Sequence, residues 1–415
     1  MLHQKAFYLI FSKTSSLRHQ VTEGALAFAR EKQLPHPVCE AYPEVLVPGL
    51  SGDCLGAICS IPPEETLRVR NLGIPILNVS NTRGPVEGMG NFLSDDVAVG
   101  ELAARHLREQ GYRHFLCLAP EKGGLVHKER ARGFELALAG TTGAKQIRIP
   151  ALEKNPGRPW TRLRFVEEFA EHLRPKLQNL EPDTGIFATN DWMAWVLLNV
   201  LRKHQPELLH TVGVLGVDNA SEDVWYGSNL PTLSSILPGF RQMGYEGMAW
   251  LAPQTDPNGT PNGGDVLKKF PPAGIAARAS TAGGGCRDPS TSRMARWIWE
   301  QLRMQSPVDV DELAVQFHMS RKTVYRMFSK HLDMAPGDWI DGARLDLAKH
   351  LLRNTRLSIG EISEKCGFAK QDVLSRCLKR ETGFTPREYR AGNSLLQNET
   401  PWDTASRNAY RILKK

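Results

Sequence analysis

The chain has 415 residues and a hydrophobic content of 41%, too long for one ordinary domain and too apolar for a disordered or fibrous protein, so two or three cores are expected. The longest apolar run near the start, AFYLIF, is shorter than a signal-peptide core, and no later window has the length of a membrane-spanning helix; a cytosolic (cytoplasmic) protein without a membrane partner is expected. The net charge of +7 is unevenly placed: residues 293–392 hold 18 Lys+Arg against 13 Asp+Glu, and residues 393–415 hold 4 against 2, leaving 30 of each for residues 1–292. A basic last third behind a neutral body is the footprint of one part that meets phosphate and another that does not.

Residues 1 to about 281 alternate short apolar runs with amphipathic stretches. The strand candidates are AFYLIFS, LGAICSI, IPILNVS, HFLCLA, TGIFATND and VGVLGVDN, separated in places by helical patterns such as VTEGALAFAREKQ and VAVGELAARHLREQ. Strands alternating with helices predict right-handed crossovers and a mostly parallel sheet covered on both faces, as one large α/β unit or two lobes. Ligands of such sheets collect at the C-terminal strand ends. Here those ends read Ser12-Lys13-Thr14-Ser15, Ser80-Asn81, Thr189-Asn190-Asp191 and Asp218-Asn219. Short polar side chains of this kind suit a small polyhydroxylated ligand better than a phosphate or a hydride donor, although each of them also suits a helix cap.

Two loose stretches follow. PQTDPNGTPNGGD, near 253–265, reads as an excursion within the first unit, with one or two strands expected in DVLKKFPPAGIAARAST after it. STAGGGCRDPSTSR, near 280–293, reads as the linker, placed at 282–293. The seven cysteines, Cys39, Cys54, Cys59, Cys117, Cys286, Cys366 and Cys377, form no CxxC and no Cys/His cluster. They read as reduced packing thiols, with no metal site and no cofactor implied.

The last hundred residues are wholly helical in pattern and say one thing twice. A short helix from Val310, a turn at His318-Met319-Ser320 and a helix from Arg321 to His331 are matched by Ile359 to Lys365, a turn at Cys366-Gly367-Phe368 and a helix from Ala369 to Glu381. The copies align with an offset of 49 before the turn, pairing Leu313 with Ile362 and Met319 with Phe368, and of 50 after it, pairing Arg326 with Arg376, Phe328 with Leu378 and Pro336 with Pro386. A long helix from Gly337 to Leu352 lies between them and is expected to hold the two units on one face, about one DNA turn apart. With Val324, Met327 and Phe328 turned inward, Arg321, Lys322, Thr323, Tyr325 and Arg326 form the outer face of the first copy. With Val373 or Leu374, Cys377 and Leu378 inward, Lys370, Gln371, Asp372, Ser375, Arg376 and Lys379 form that of the second. Arg and Gln at such positions pair with guanine and adenine edges in the major groove, whereas Lys330, Lys379 and Arg380, farther along the helices, suit phosphates. The partner read from these faces is double-stranded DNA of a promoter or operator.

The span Trp297 to Arg390, with GFAKQDVLSRCLKRETGFTPREYR, resembles the DNA-binding domain of the AraC/XylS-type transcription regulators. The resemblance implies base contacts from Lys322, Tyr325 and Arg326 and from Gln371, Asp372, Ser375 and Arg376. It departs from the family at Leu374 and Leu378, where aromatics are usual. The N-terminal unit, through the Arg130-Ala131-Arg132-Gly133-Phe134 run, TNDWMAW, VGVLGVDN and LPTLSSILPGFRQMGYEGMAWL, is similar to the periplasmic-binding-protein-like sensors of the lac and ribose repressors. Sensor first and AraC-type domain last is the order of the xylose-operon activators. That resemblance implies an α/β two-lobed effector domain over 1–281, an all-α double helix-turn-helix domain over 294–392 and a tail over 393–415. It further implies a xylose-like sugar held by Arg130, Asn190 or Asp191, and Asp218, with Ser12 nearby; a homodimer pairing through TLSSILPGFRQMGYEG and the early strands; and contact with RNA polymerase on activation.

Two other classes fit the sequence less well. An enzyme would need a motif such as a Walker A loop, a GxSxG elbow, HExxH or a dinucleotide fingerprint; none is present, and TAGGGC falls in the linker. A transport protein would need an export signal and has no use for the repeated basic units. A regulator of this architecture that answers another ligand, or represses, is the remaining alternative.

Overall fold

The computed structural model describes residues 5–392 apart from the segments 12–16, 42–53, 61–73, 140–143, 150–161, 178–179, 206–207, 221–232, 256–265 and 283–285 and the single residues 122, 182, 287, 307, 333, 356 and 383. The six strands expected from apolar runs are all present: β1 (Ala6–Phe11), β3 (Cys54–Ser60), β4 (Ile76–Asn78), β6 (His114–Pro120), β8 (Thr184–Ala188) and β9 (Gly213–Val217). The shorter or more polar β2 (Val38–Ala41), β5 (Gly90–Ser94), β7 (Ala144–Ile149), β10 (Ser234–Leu237), β11 (Leu267–Phe270) and β12 (Gly274–Ala276) complete two six-stranded sheets.

Lobe 1 has the order β11-β5-β4-β3-β1-β2 and is parallel throughout; lobe 2 has the order β12-β10-β9-β8-β6-β7 and is parallel except for the β10–β12 pair. The lobe 2 sheet is covered on both faces, which is why its central strands tolerate continuous apolar runs. In lobe 1, α1 (Arg18–Glu31) and α6 (Phe240–Leu251) pack on Phe7, Leu9, Ile58 and Leu77. In lobe 2, α2 (Asp96–Glu109) and α3 (Leu125–Ala137) cover one face through Leu107, Phe134 and Phe187. On the other face, α4 (Arg162–Leu177) and α5 (Asp191–His204) pack through Leu173, Leu197 and Leu201. The chain crosses between lobes at 94–96, 238–239 and 271–273. Asp95 N–H donates to Phe270 O at 2.8 Å, tying the first crossing to the third.

The helical domain begins with α7 (Pro289–Arg303), whose Asp288 cap accepts from Thr291 N–H and whose Pro289 opens the first turn. The helix thus takes over residues 289–293 of the stretch read as linker, and Thr291 and Ser292 are buried in it. The first unit, α8 (Val310–Gln316) and α9 (Arg321–Leu332), packs Leu313, Val324 and Phe328 against Ile298 and Trp299 of α7 and Ile340 and Ala343 of α10 (Pro336–Asn354). Its core also takes in Ala279 and Ala282 from the end of the sensor. The second unit, α11 (Ile359–Lys365) and α12 (Gln371–Thr382), packs Ile362, Leu374 and Leu378 on Leu345, Ala348 and Leu352 of α10 and Tyr389 of α13 (Pro386–Gly392). Leu347 of α10 packs against both cores, so one helix holds the two units together.

Candidate functional site

The cleft is built around Arg130 on α3. Helices α2 and α3 cross backbone to backbone because Gly100 and Gly133 lie at the crossing: a Cβ on Gly100 would sit 2.0 Å from Arg130 O, and one on Gly133 2.0 Å from Val97 O. That crossing aims the Arg130 side chain at the lobe junction, where it is buried. Its Nε donates to Asp96 Oδ1 at 2.8 Å, its Nη1 donates to Thr189 O at 2.8 Å, and Nη1 lies 3.2 Å from Asp218 Oδ1. Burial alone would lower the guanidinium pKa, but Asp218 and Asp96 outweigh it and hold the group above its ordinary value.

The carboxylates around it are themselves fixed. Asp96 Oδ2 accepts from Asn81 Nδ2 at 2.6 Å and from Ser94 Oγ at 2.9 Å. Asp191 accepts from Ser235 Oγ at 2.7 Å and from Ala220 N–H at 2.8 Å. Burial first, and the Asp218 charge second, push the Asp191 carboxyl up to about 7. On the turn of helix before Arg130, His127 shares a hydrogen bond of 2.9 Å with Thr189 Oγ1, and burial pushes it down to about 4, so its imidazole is neutral at pH 7. Both lobes contribute to the walls: Gln20 of α1 donates to Asp218 O at 2.5 Å, and Leu125 N–H donates to Thr82 O at 2.8 Å. Buried, paired charges in a junction that two lobes share can exchange hydrogen bonds with several hydroxyl groups at once, Arg130 donating and the carboxylates accepting.

The second surface lies on α9 and α12. Arg321, Lys322, Tyr325 and Arg326 are exposed, as are Lys370, Gln371, Asp372, Arg376 and Lys379, with Ser375 half-buried. The repeat runs deeper than side-chain pattern. Asp309 and Glu312 form a capping box at α8, and Ser358 and Glu361, each 49 positions later, form one at α11. His318 (φ 52°) and Gly367 (φ 73°), also 49 apart, both take the left-handed conformation that makes the tight turn. Arg321 is engaged by Asp311, with Nη1 2.7 and 2.9 Å from the two carboxylate oxygens, which leaves Lys322, Tyr325 and Arg326 as the open part of the first face.

Comparison with known proteins agrees with both halves. A family described as a periplasmic binding protein-like domain matches residues 104–281, and one described as a helix-turn-helix domain matches residues 313–392. The xylose operon regulatory protein of Escherichia coli (strain K12) is 28% identical over 334 residues, 78% of this chain and 80% of that one. The regulator GbdR of Pseudomonas aeruginosa is 36% identical over 97 residues, 23% of this chain and 26% of its own. Among solved structures, a xylose-binding transcription activator superposes with a TM-score of 0.59 at 24% identity, over 94% of this chain and 98% of that chain, a likeness of fold. The chain is a two-domain transcription regulator, a periplasmic-binding-protein-like domain followed by an AraC-type helix-turn-helix domain. It is a DNA-binding protein and not an enzyme.

In this regulator the structure brings Arg130, Asp191 and Asp218 together at the lobe junction. Asn190 instead caps α5, its Oδ1 accepting from Met193 N–H at 2.8 Å, so its side chain is engaged in the helix start. Ser12 lies outside the described residues, as do residues 393–415. Sequence reading missed Asp96, His127 and Gln20, whereas Asn81, which donates to Asp96, stands among the strand-end residues named above. Asp96 follows β5, GNFLS, whose Gly and Asn hide a strand; recognising that strand would have placed Asp96 at a C-terminal strand end. His127 lies three residues before Arg130, one helical turn away on the same face.

Proposed function

We propose that a small sugar, xylose or a close relative, binds in the cleft and controls operator binding by α9 and α12, so that the protein acts as a cytoplasmic activator of transcription. The observation that carries the reading is the buried Arg130 held between Asp96 and Asp218 at the junction of two lobes, a polar site enclosed from both sides. The regulators of xylose operons, alike over most of the chain, supply the sugar class. A ligand gripped by both lobes favours the closed arrangement to the extent that it binds that arrangement more tightly. Two chains paired through their sensors would present four helix-turn-helix units, and RNA polymerase is the partner expected on activation. Among the described residues no helix is long and apolar enough to cross a membrane. The test is titration of the full chain with D-xylose, other pentoses and D-glucose while following its affinity for DNA from its own upstream region at fixed salt. Tightening by D-xylose ahead of the others supports the reading; identical affinity with every sugar refutes it.

A further inference from the structure

The segment that joins the sensor to the helical domain is hydrogen-bonded into lobe 2 step by step. Arg278 donates from Nη2 to Asn219 Oδ1 at 2.7 Å and from Nη1 to Leu233 O at 2.6 Å, and its backbone N–H donates to Ser234 Oγ at 2.8 Å. Ser234, fully buried, shares a 2.7 Å hydrogen bond with Thr281 Oγ1, and its N–H donates to Ser280 Oγ at 2.8 Å. Thr281 then meets His106 Nε2 at 3.2 Å through its hydroxyl and accepts from Tyr112 Oη at 3.2 Å through its carbonyl. On α7, Arg296 is buried and donates from Nη2 to Val212 O at 2.6 Å.

Strand β9 closes the circuit. Val212 immediately precedes it and Asp218-Asn219 immediately follow it, so one buried strand, roughly 17 Å long at about 3.3 Å per residue, separates the Arg296 contact from the cleft. At its cleft end the backbone is held in an unfavourable form: Asp218 has φ 102° and Asn219 φ 45°, two consecutive residues with side chains in the left-handed region. Such a corner persists only where its surroundings over-determine it. Asp218 faces Arg130, and Asn219 is gripped by Arg278.

We infer that Arg278 is the positioning residue that couples the cleft to the helix-turn-helix units, by tying the Asp218-Asn219 corner to the 278–282 segment from which α7 leaves lobe 2. The inference rests on the reading of the cleft as a ligand site. Its consequence is that α7, and with it both helix-turn-helix units on their shared helix α10, travels with lobe 2 when the lobes move. A change of the corner on ligand binding is passed to the segment through the Arg278 side chain itself, whose guanidinium holds Asn219 by Nη2 and Leu233 by Nη1.

The test uses the full chain, D-xylose and DNA from its own upstream region, with two readouts. In the first, Arg278→Gln should bind D-xylose within about threefold of the parent, while the sugar-induced gain in DNA affinity falls tenfold or more. Arg278→Lys, which can span one of the two acceptors, should restore part of it. In the second, because Arg278 ties the corner to the segment that leads into α7, DNA binding should alter amide exchange at residues 218–220 in the parent, and this change should vanish in Arg278→Gln at DNA concentrations that saturate it. Asn219→Gly, which removes the acceptor and tolerates positive φ, should uncouple in the same way and serves should Arg278→Gln fail to fold. If Arg278→Gln and Asn219→Gly keep the full sugar response, the inference is overturned while the ligand reading stands. If D-xylose leaves DNA affinity unchanged in the parent but DNA still alters exchange at 218–220 through Arg278, the coupling stands and the ligand reading falls. If neither effect occurs in the parent, both fall.

Discussion

The sensor and the helical domain both depend on charge, and they deploy it in opposite ways. In the cleft, Arg130, Asp96 and Asp218 are all buried, and each is held by named partners. On α9 and α12, Lys322, Arg326, Arg376 and Lys379 stand in solvent, as does Lys370 just before α12. Buried charges are costly to remove from water and tolerate no missing partner, so they fix one geometry and one ligand class. Exposed charges cost little, contribute little to folding and remain available to a polyanion, at the price of salt sensitivity. A single substitution should therefore unfold or silence the sensor, yet only weaken the reader.

The largest expected effect follows from breaking the cleft. Arg130→Ala leaves Asp96 and Asp218 buried without their cation and should lower stability by about 3–5 kcal/mol and abolish sugar binding, as read by denaturant unfolding and calorimetry. Next come the cores beneath the reading helices, the one part of the reader that should respond as the sensor does. Phe328→Ala should cost about 3–5 kcal/mol and Leu378→Ala about 2–5 kcal/mol, since both side chains are fully buried. Because Leu347 joins the two cores, each substitution should also soften the other unit, which amide exchange in α9 and α12 would report.

A pH series sharpens the contrast further. Asp191 keeps its proton in the folded chain up to about 7, because burial and Asp218 disfavour its charge, whereas an unfolded aspartate loses it near ~3.9. The folded state thus holds the extra proton between those values, and stability falls as pH rises through that window. Asp191→Asn lacks this term. Its stability relative to the parent should climb from about pH 4 to about pH 7 and level off above, while His106 and His127, buried and pushed down to about 4, act alike in both proteins. A constant difference across the series would contradict the assignment. On the reading face the effects are smaller. Arg376→Ala should cost about 1–3 kcal/mol on the operator and relax base preference there, and Lys379→Ala should weaken all DNA alike and reduce the salt slope by about 1, both read by binding isotherms on specific and random duplexes.

The two halves also differed in how much their residues disclosed. The helical domain was legible almost to the residue, because its signals are local: caps, a turn and a 3.6-residue apolar period, written twice. The expected helices at Val310, Arg321 and Ile359 begin where the structure begins them. Both turns were legible, but the left-handed backbone was plainer at Gly367 than at His318, a residue type enriched at positive φ yet far less telling than glycine. In the sensor, the long apolar strands were legible and the short ones were not. Arg130 emerged from the resemblance to known sensors and Asp218 already from its place at a strand end, while Asp96 stayed unseen, because it meets Arg130 across 34 positions of sequence through a glycine-dependent helix crossing. The end of the sensor was misleading for a related reason. Its Ser, Thr and Gly suggest loose chain, yet Ser280, Thr281, Thr291 and Ser292 are buried, with Ser280 and Thr281 hydrogen-bonded into lobe 2 and Thr291 into the cap of α7. Composition reports solvation only where tertiary partners are missing.

The most direct measurement of the central claim is a footprint of the full chain on DNA from its own upstream region, taken with and without D-xylose at one salt concentration. Protection of successive major grooves on one face, about 10 base pairs apart for each chain, should appear at lower protein concentration when the sugar is present. Protection of the same extent at the same protein concentration in both conditions would contradict control of the reading helices by the cleft.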